Sequence, residues 1–318
     1  MLMQTIKSIF LLLRDTVAAF LQDRATIYAA GLAYYTVFSL APLLVFVVTV
    51  AGLFIGRSAA SEQIVFQLQM IVGAELGGFL EELLGAVTNQ SSAGTITALS
   101  LAGLLFGATG IFNQIKNSVN ILWGLVPRRP RGARDYLHMV RSRAIPFLMV
   151  FLFGLLLSAV VLIDTVLGLV QSRLAVFFPE MAEALPSLSR VVVPVLTFFT
   201  FALIYKLLPD ARIRWRDIWP GALLAALLFL IGRVLLELFL EFSGTGSAFG
   251  AAGSLVVLLV WVFFSANMLL LGAEFLKLYA TRFGQPIRPG PTARFEGDPI
   301  IEEGAPGPTG LSLDERVL

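Results

Sequence analysis

One stretch near the carboxyl end decides the fold of this chain. It reads Gly244-Thr-Gly-Ser-Ala-Phe-Gly-Ala-Ala-Gly253 and continues as Ser254-Leu-Val-Val-Leu-Leu-Val-Trp261-Val-Phe-Phe-Ser265-Ala-Asn267-Met-Leu-Leu-Leu-Gly272-Ala-Glu274-Phe-Leu-Lys277. The apolar part is about 25 residues long, which is enough to cross a bilayer as a helix. Within it, Gly253, Val260, Asn267 and Glu274 are spaced seven apart and share one helical face. An amide and a carboxylate on an apolar helix need polar partners from the rest of the chain.

The composition places the chain among membrane proteins. Of its 318 residues, 57% are hydrophobic and 14% are charged, and the mean hydropathy is +0.85. Soluble domains are about half apolar and about a quarter charged. The sequence contains no cysteine, which excludes disulfides and thiolate metal sites. We therefore expect an all-α polytopic membrane protein.

The central part of the chain, residues 28–283, is predicted to form one transmembrane domain. Long apolar runs alternate there with polar segments, and the longer outer segments have the spacing of short amphipathic helices. We expect those short helices outside the cytoplasm. The predicted bundle has six spans, at about residues 28–55, 93–114, 145–170, 191–208, 218–241 and 250–275.

Two segments flank the predicted bundle. Residues 1–27 carry apolar side chains such as Ile6, Phe10 and Leu13 at helical spacing, with polar residues on the other sides. This amphipathic helix is expected either in the cytoplasmic interface of the membrane or packed on the other helices. From residue 284 onward, proline and glycine are frequent and apolar periodicity is lost, which predicts a disordered cytoplasmic tail over 284–318.

The basic residues indicate the orientation of the spans, because Lys and Arg concentrate in cytoplasmic loops. The amino-terminal segment, the loops 115–144 and 206–217, and the tail hold nearly all of them. The intervening segments have only Arg57, Arg173 and Arg190. This alternation predicts that both termini lie in the cytoplasm.

Several polar residues within the predicted spans are candidates for a substrate cavity. Arg233 and Glu237 are four residues apart, so they can pair along one helix. Charges in hydrocarbon are costly and normally face a partner or a wet cavity. We interpret these residues as a polar cavity for an anionic substrate, with Arg233 as its main anion contact. The alternative is a set of closed pairs that only fix helix packing. The candidate cavity residues are Arg233, Glu237, Asn267, Glu274 and Lys116.

Three positions are candidates for hinges or broken helices. Pro42 lies inside the first span and should kink it, while Gly250 and Gly253 belong to the glycine-rich entry of the sixth span. Transporters use such positions near their binding sites. Helix packing and loop flexibility are the simpler interpretation of each of these positions.

The loop between the second and third spans is strongly basic. Its residues Arg128, Arg129, Arg131 and Arg134 are expected to contact anionic phospholipid headgroups. Nucleic acid is the less favoured partner, because the only histidine, His138, lies among arginines and no acidic cluster is available for metal-assisted hydrolysis. No Walker motif is present either. The sequence therefore predicts no enzyme activity, no metal and no cofactor.

Four motifs over residues 10–282 resemble the YihY/BrkB family of bacterial inner-membrane proteins, once described as ribonuclease BN. The resemblance implies six transmembrane helices in the plasma membrane and translocation of a lipid or solute. One departure is Phe249, where the family usually has tyrosine. The motifs are Ala29-Ala-Gly-Leu-Ala-Tyr-Tyr-Thr-Val-Phe-Ser-Leu-Ala-Pro42, Asn120-Ile-Leu-Trp123, Tyr205-Lys-Leu-Leu-Pro209-Asp210, and Phe249 to Trp261 with Leu271-Gly-Ala-Glu274.

These observations favour a transporter or flippase-like protein for an anionic, amphipathic substrate such as a lipid. The alternative is a structural membrane protein that transports nothing, in which every buried charge is paired. Expected partners are the bilayer and anionic phospholipid headgroups. The sequence leaves the oligomeric state and the source of transport energy open.

Overall fold

The computed structural model describes residues 2–72, 85, 98–128, 132, 135–153, 155–156, 194–243 and 253–298. Within these ranges the structure is helical apart from short turns and four strands of two or three residues, so the expected all-α class is confirmed. The helices are α1 (Leu2–Gln22), α2 (Ala25–Ile55), α3 (Arg57–Val72), α4 (Ala98–Leu122), α5 (Asp135–Phe153), α6 (Pro194–Leu207), α7 (Trp215–Ser243) and α8 (Gly253–Phe283).

Several of these helices are long and apolar enough to cross a membrane. Among the described residues, Asp135–Phe153, Trp215–Leu236 and Leu255–Phe283 qualify by length and composition. The two halves of α2, Ala25–Leu40 and Leu43–Thr49, make a fourth span if they cross together. The chain is therefore a helical membrane protein, while the number of six spans stays a prediction.

Helix α2 bends by 49° between its two halves. The bend includes Pro42, which has no amide hydrogen for the helical ladder. Gly253 is buried at the first residue of α8, and Gly250 lies outside the described residues. The bend agrees with the kink expected at Pro42, but a hinge function at these positions stays a prediction.

The amino-terminal helix ends earlier than the sequence suggests. The chain turns at Arg24, whose backbone is left-handed with a φ of 51°, and α2 begins at the next residue. Helix α1 packs against α8 and buries Leu12 and Thr16. Its location in the membrane interface stays a prediction, and five exposed apolar side chains on α1 fit it: Ile9, Phe10, Leu13, Val17 and Leu21.

Helices α7 and α8 pack closely because small residues stand where they meet. A methyl group added to Gly221 would lie 2.6 Å from Leu276 Cβ. A methyl group added to Gly272 would lie 2.6 Å from Ala225 Cβ. Small residues of this kind allow membrane helices to approach without clashes.

Two aromatic side chains from neighbouring elements tie α8 in place. The buried Tyr205 hydroxyl donates a hydrogen bond of 2.7 Å to the Leu269 carbonyl. The buried Trp123 ring nitrogen donates one of 3.1 Å to the Ala273 carbonyl. The two bonds fall one helical turn apart on α8, so the ends of α6 and α4 hold the same part of that helix.

The expectation of a tail that is disordered from residue 284 is wrong for its first part. Strand β1 (Leu125–Pro127) pairs antiparallel with β4 (Ala293–Phe295), and β2 (Ala211–Arg212) pairs antiparallel with β3 (Arg288–Pro289). We call residues 288–295 the strap. The loops after α4 and α6 offer unpaired backbone groups, and the strap satisfies them despite its proline and glycine content.

The strap and its partner strands form one end of the helix bundle. Four arginines lie on these strands or directly after them, and we call this end the basic end. They are Arg128, Arg212, Arg288 and Arg294.

Candidate functional site

A polar cavity of about 520 Å³ opens at the basic end of the bundle. It lies between the end of α4, the start of α5, the turn after α6 and the strap. Three basic and two acidic side chains line it, namely Lys116, Arg128, Arg143, Asp135 and Asp210. Amides and hydroxyls complete the polar lining, from Asn113, Asn117, Asn120, Ser142 and Thr292.

Helix α4 forms one wall of this cavity, because its polar residues recur at helical spacing. Asn113, Lys116, Asn117 and Asn120 lie at i, i+3, i+4 and i+7, so they project from one face. Lys116 is only 8% exposed, whereas Asn113 and Asn117 are open to the cavity. A buried ammonium needs a counter-charge, and α4 itself offers none nearby.

Asp210 provides that counter-charge from the turn after α6. Its Oδ2 lies 3.0 Å from Lys116 Nζ. The Lys116 ammonium also donates to the Ser142 carbonyl at 3.1 Å and to the Ser142 hydroxyl. The same hydroxyl donates to Asp210 Oδ1 at 2.6 Å. Three separate elements thus meet at one ion pair.

Further donors complete the surroundings of Asp210. Asn120 Nδ2 donates to Oδ2 at 3.1 Å, and the Asp210 amide donates back to Asn120 Oδ1 at 2.9 Å. Thr292 Oγ1 in the strap donates to Asp210 Oδ1 at 3.1 Å, and the Gly290 amide donates to the Asp210 carbonyl at 2.8 Å. The carboxylate of Asp210 is therefore fully engaged, and it connects α4, α5 and the strap.

A second charged cluster lies where α8, the α1–α2 turn and the end of α4 meet. Lys277 Nζ is 3.2 Å from Asp23 Oδ2 and 3.4 Å from Glu274 Oε2, and it donates to the Leu122 carbonyl. Glu274 is fully buried, and neither of its oxygens accepts a hydrogen bond from a described residue. One ammonium therefore compensates two carboxylates, and Glu274 lines none of the cavities that we describe.

The remaining candidate residues lie apart from the polar cavity. Asn267 is half-buried, and its amide donates to the Phe263 carbonyl of its own helix at 2.7 Å. Arg233 is half-buried on α7 and is engaged in an interaction. The side chain of Glu237 lies outside the described residues, so the predicted Arg233–Glu237 pair stays a prediction. Lys116 is the predicted cavity residue that the structure brings to a polar cavity.

An apolar cavity of about 280 Å³ lies deeper, between six helices. Two threonine hydroxyls in its walls are already hydrogen-bonded, since Thr36 and Thr200 donate to carbonyls of their own helices. A smaller apolar cavity of about 190 Å³ shares part of its wall and includes Met149. Representative residues of the larger cavity are Leu32, Ile111, Phe153, Phe201, Phe229 and Leu269.

Metal binding has no support in the described part of the chain. No three side chains of the His, Cys, Asp or Glu type come together there as a ligand set. The polar cavity has more basic than acidic side chains in its lining, which disfavours a cation.

Sequence reasoning identified Lys116 but missed its partners. Asp210 was visible only as the last residue of the Tyr205–Asp210 motif, and Ser142 carried no signal beyond its place in a basic loop. Thr292 lies in the predicted disordered tail. Arg128 of the predicted headgroup contacts lines the cavity, and Arg129, Arg131 and Arg134 lie outside the described residues.

Comparison with known proteins places the chain in a family. Residues 16–296 match the sequence profile of the family described as Virulence factor BrkB. A UPF0761 membrane protein of Aeromonas salmonicida is 26% identical over 260 residues, which are 80% of this chain and 84% of the relative. A UPF0761 membrane protein of Idiomarina loihiensis is 30% identical over 203 residues, 63% of this chain and 65% of the relative. No solved structure matches the chain significantly. The profile spans most of the sequence, so the chain belongs to the YihY/BrkB family of membrane proteins.

Proposed function

We propose that this protein binds an anionic, amphipathic substrate of the lipid class and moves it between the leaflets of a bacterial plasma membrane. Both termini and the basic end of the bundle face the cytoplasm in this proposal. The polar headgroup enters the polar cavity at the basic end, and the apolar part of the substrate lies along the spans.

The observation that supports this proposal is the residue pattern on one face of α5. Met139 and Ser142 line the polar cavity, while Met149 and Phe153 line the smaller apolar cavity. These four positions are separated by three, seven and four residues, so they fall on one side of the helix. A single helical face therefore passes from a charged site to an apolar one.

The spacing along α5 suits a molecule with a polar and an apolar end. Eleven residues separate Ser142 from Phe153, which corresponds to about 17 Å of helix. That length is slightly more than the hydrocarbon depth of one leaflet, which is about half of the roughly 30 Å core of a bilayer. A lipid whose headgroup lies at Ser142 therefore has room for its chains beside Phe153.

A structural role without transport is the second candidate, and the closed network around Asp210 favours it. Lys116, Ser142, Asn120 and Thr292 all bond to this one carboxylate, as expected for a site that only fixes loops. The two functions differ in one observable. A transporter moves lipid across a vesicle membrane, and a scaffold does not.

The test is lipid exchange in reconstituted vesicles. The full chain is inserted into liposomes that contain a fluorescent anionic lipid, and the fraction of probe that a membrane-impermeant quencher can reach is followed over time. We expect exchange well above that of protein-free vesicles. Met139→Trp should slow it, because the larger ring fills the polar cavity.

Leu148→Trp is the matched control. Leu148 is on the same helix but is 56% exposed and lines none of the three cavities, so this variant should keep the wild-type rate. An exchange rate equal to that of empty vesicles would refute transport and favour the structural role. Equal slowing by both substitutions would refute the assignment of the route to this face of α5.

A further inference from the structure

The charges that line the polar cavity point to the class of headgroup that it binds. Lys116 and Asp210 neutralise each other, and Asp135 is already engaged in an interaction. Arg128 and Arg143 also line the cavity, and within the described part of the chain neither guanidinium makes a hydrogen bond or an ion pair. Two guanidinium groups are thus available for a ligand. Guanidinium groups suit phosphate oxygens, which they can bind in pairs.

The carboxylates of the cavity are not available in the same way. Asp210 accepts hydrogen bonds from Ser142, Asn120 and Thr292 in addition to its contact with Lys116. An ammonium group in a headgroup would need a free carboxylate. The described lining offers none, since Asp135 and Asp210 are both engaged. A headgroup that ends in an ammonium therefore meets no free carboxylate in the described lining.

Neutral polar groups fill the rest of the lining. The exposed amides of Asn113 and Asn117 face the cavity and can both donate and accept hydrogen bonds. A ligand hydroxyl group can use both capacities, because it both donates and accepts hydrogen bonds. The volume of about 520 Å³ lies within the usual range of small-molecule pockets, so a whole headgroup fits.

We propose that this cavity binds a phosphodiester headgroup that carries hydroxyl groups, of the phosphatidylglycerol class, in preference to one that ends in an ammonium. The phosphate contacts Arg128 and Arg143, and the headgroup hydroxyls contact Asn113 and Asn117. This assignment rests on the proposed function, because it names the substrate class of the same site.

The experiment measures which lipid stays bound to the full-length protein. The protein is released from membranes that contain equal amounts of phosphatidylglycerol and phosphatidylethanolamine, and bound lipids are counted by native mass spectrometry. We expect a preference for phosphatidylglycerol of about fivefold or more, and its loss in the double variant Arg128→Gln/Arg143→Gln. Arg141→Gln is the matched control, because Arg141 is exposed on α5 and does not line the cavity.

Three results would overturn the inference. They are equal binding of both lipids by the wild type, an unchanged preference in the double variant, and an equal loss in Arg141→Gln, which would indicate general surface charge. Soluble glycerophosphoglycerol is tested as a competitor, and we expect it to displace little lipid. Full displacement at equal concentration would assign the site to a free phosphodiester instead of a lipid.

The two proposals fail in different ways. Selective binding of phosphatidylglycerol without lipid exchange would refute transport and leave the headgroup site standing. Lipid exchange without any headgroup preference would refute the headgroup site and leave transport standing.

Discussion

The ammonium of Lys116 lies 3.0 Å from the carboxylate of Asp210, and both side chains are largely shielded from solvent. Lys116 comes from the last two turns of α4, and Asp210 comes from the turn after α6. A buried charge whose partner is removed is strongly destabilising, whereas an apolar pair of similar size is tolerated. This pair therefore makes the basic end of the bundle depend on contacts between distant parts of the chain.

Replacing Asp210 with asparagine should destabilise the protein by about 3–5 kcal/mol, because it leaves the Lys116 ammonium without a counter-charge. The measurement is the free energy of unfolding in mixed micelles. Lys116→Met in the same chain should recover a large part of that loss, since it removes the uncompensated charge. If the double variant lost as much as the two single variants together, the ion pair would not be the coupling between them.

Replacing Thr292 with valine should loosen the strap without changing its shape. The substitution removes the hydrogen bond of 3.1 Å from Thr292 Oγ1 to Asp210. A hydrogen bond of this kind contributes about 1 kcal/mol, so hydrogen exchange of the strap amides should become about fivefold faster. Thr281→Val is the control, because Thr281 bonds only to the Lys277 carbonyl of its own helix. Equal acceleration in both variants would contradict a specific role of Thr292.

The contact between α1 and α8 should depend on pH through Asp15. Arg282 and Arg14 donate hydrogen bonds to the Asp15 carboxylate and hold its pKa below the ordinary value of 3.8. As the pH falls, the unfolded chain takes up the proton first, so the contact stabilises the fold above pH 3.8 and is lost as the pH falls below that value. The measurement is the protection of α1 amides from hydrogen exchange between about pH 6 and pH 3, which is roughly the range in which carboxylates titrate. Each rate is corrected for the intrinsic exchange rate at that pH.

Asp15→Asn is the matched variant for the pH experiment. This variant cannot form the ion pair with Arg282, so the amides of α1 should be less protected from hydrogen exchange at pH 6. Their protection should also change less on acidification than in the wild type. Because these side chains are partly exposed to solvent, the effect should also weaken in high salt. An identical pH profile in the variant would show that another group controls the docking of α1.

Replacing Gly272 with alanine should separate α7 from α8. The new methyl group would lie 2.5 Å from the Tyr205 hydroxyl and 2.6 Å from Ala225 Cβ, so the helices must move apart. Overpacking of this kind costs about 1–3 kcal/mol, which thermal unfolding in detergent can detect. Gly110→Ala is the control, because among the described residues its methyl group would meet Ser39 Cβ at an ordinary contact distance of 4.0 Å. This substitution should be neutral or stabilising. Equal destabilisation by both would argue against a specific close approach at Gly272.

The candidate site was only partly predictable from local pattern. The spacing of Asn113, Lys116, Asn117 and Asn120 shows that α4 has a polar face, because helical periodicity depends on sequence distance alone. The same periodicity cannot say which element faces that stripe. Asn267 and Glu274 share a face on α8, yet Asn267 bonds within its own helix and Glu274 belongs to the Lys277 cluster.

The strap shows the limit of composition as a guide. Proline and glycine after residue 284 predict disorder, since such a segment has little apolar surface to bury. Its order comes from backbone hydrogen bonds to strands that lie far away in sequence, such as the pairing of Arg288 with Arg212. Those partners exist only after the helices bring both loops to one end of the bundle.

The sequence by itself determined that this chain is a helical membrane protein, because a long apolar run can satisfy its backbone in lipid only as a helix. It also placed a lysine and amides on one face of α4. Only the tertiary structure decided that Asp210 neutralises Lys116 and that Arg128 and Arg143 line the same cavity. The reason is physical: amphipathic spacing acts along one helix, whereas pairing of buried charges depends on which helices become neighbours.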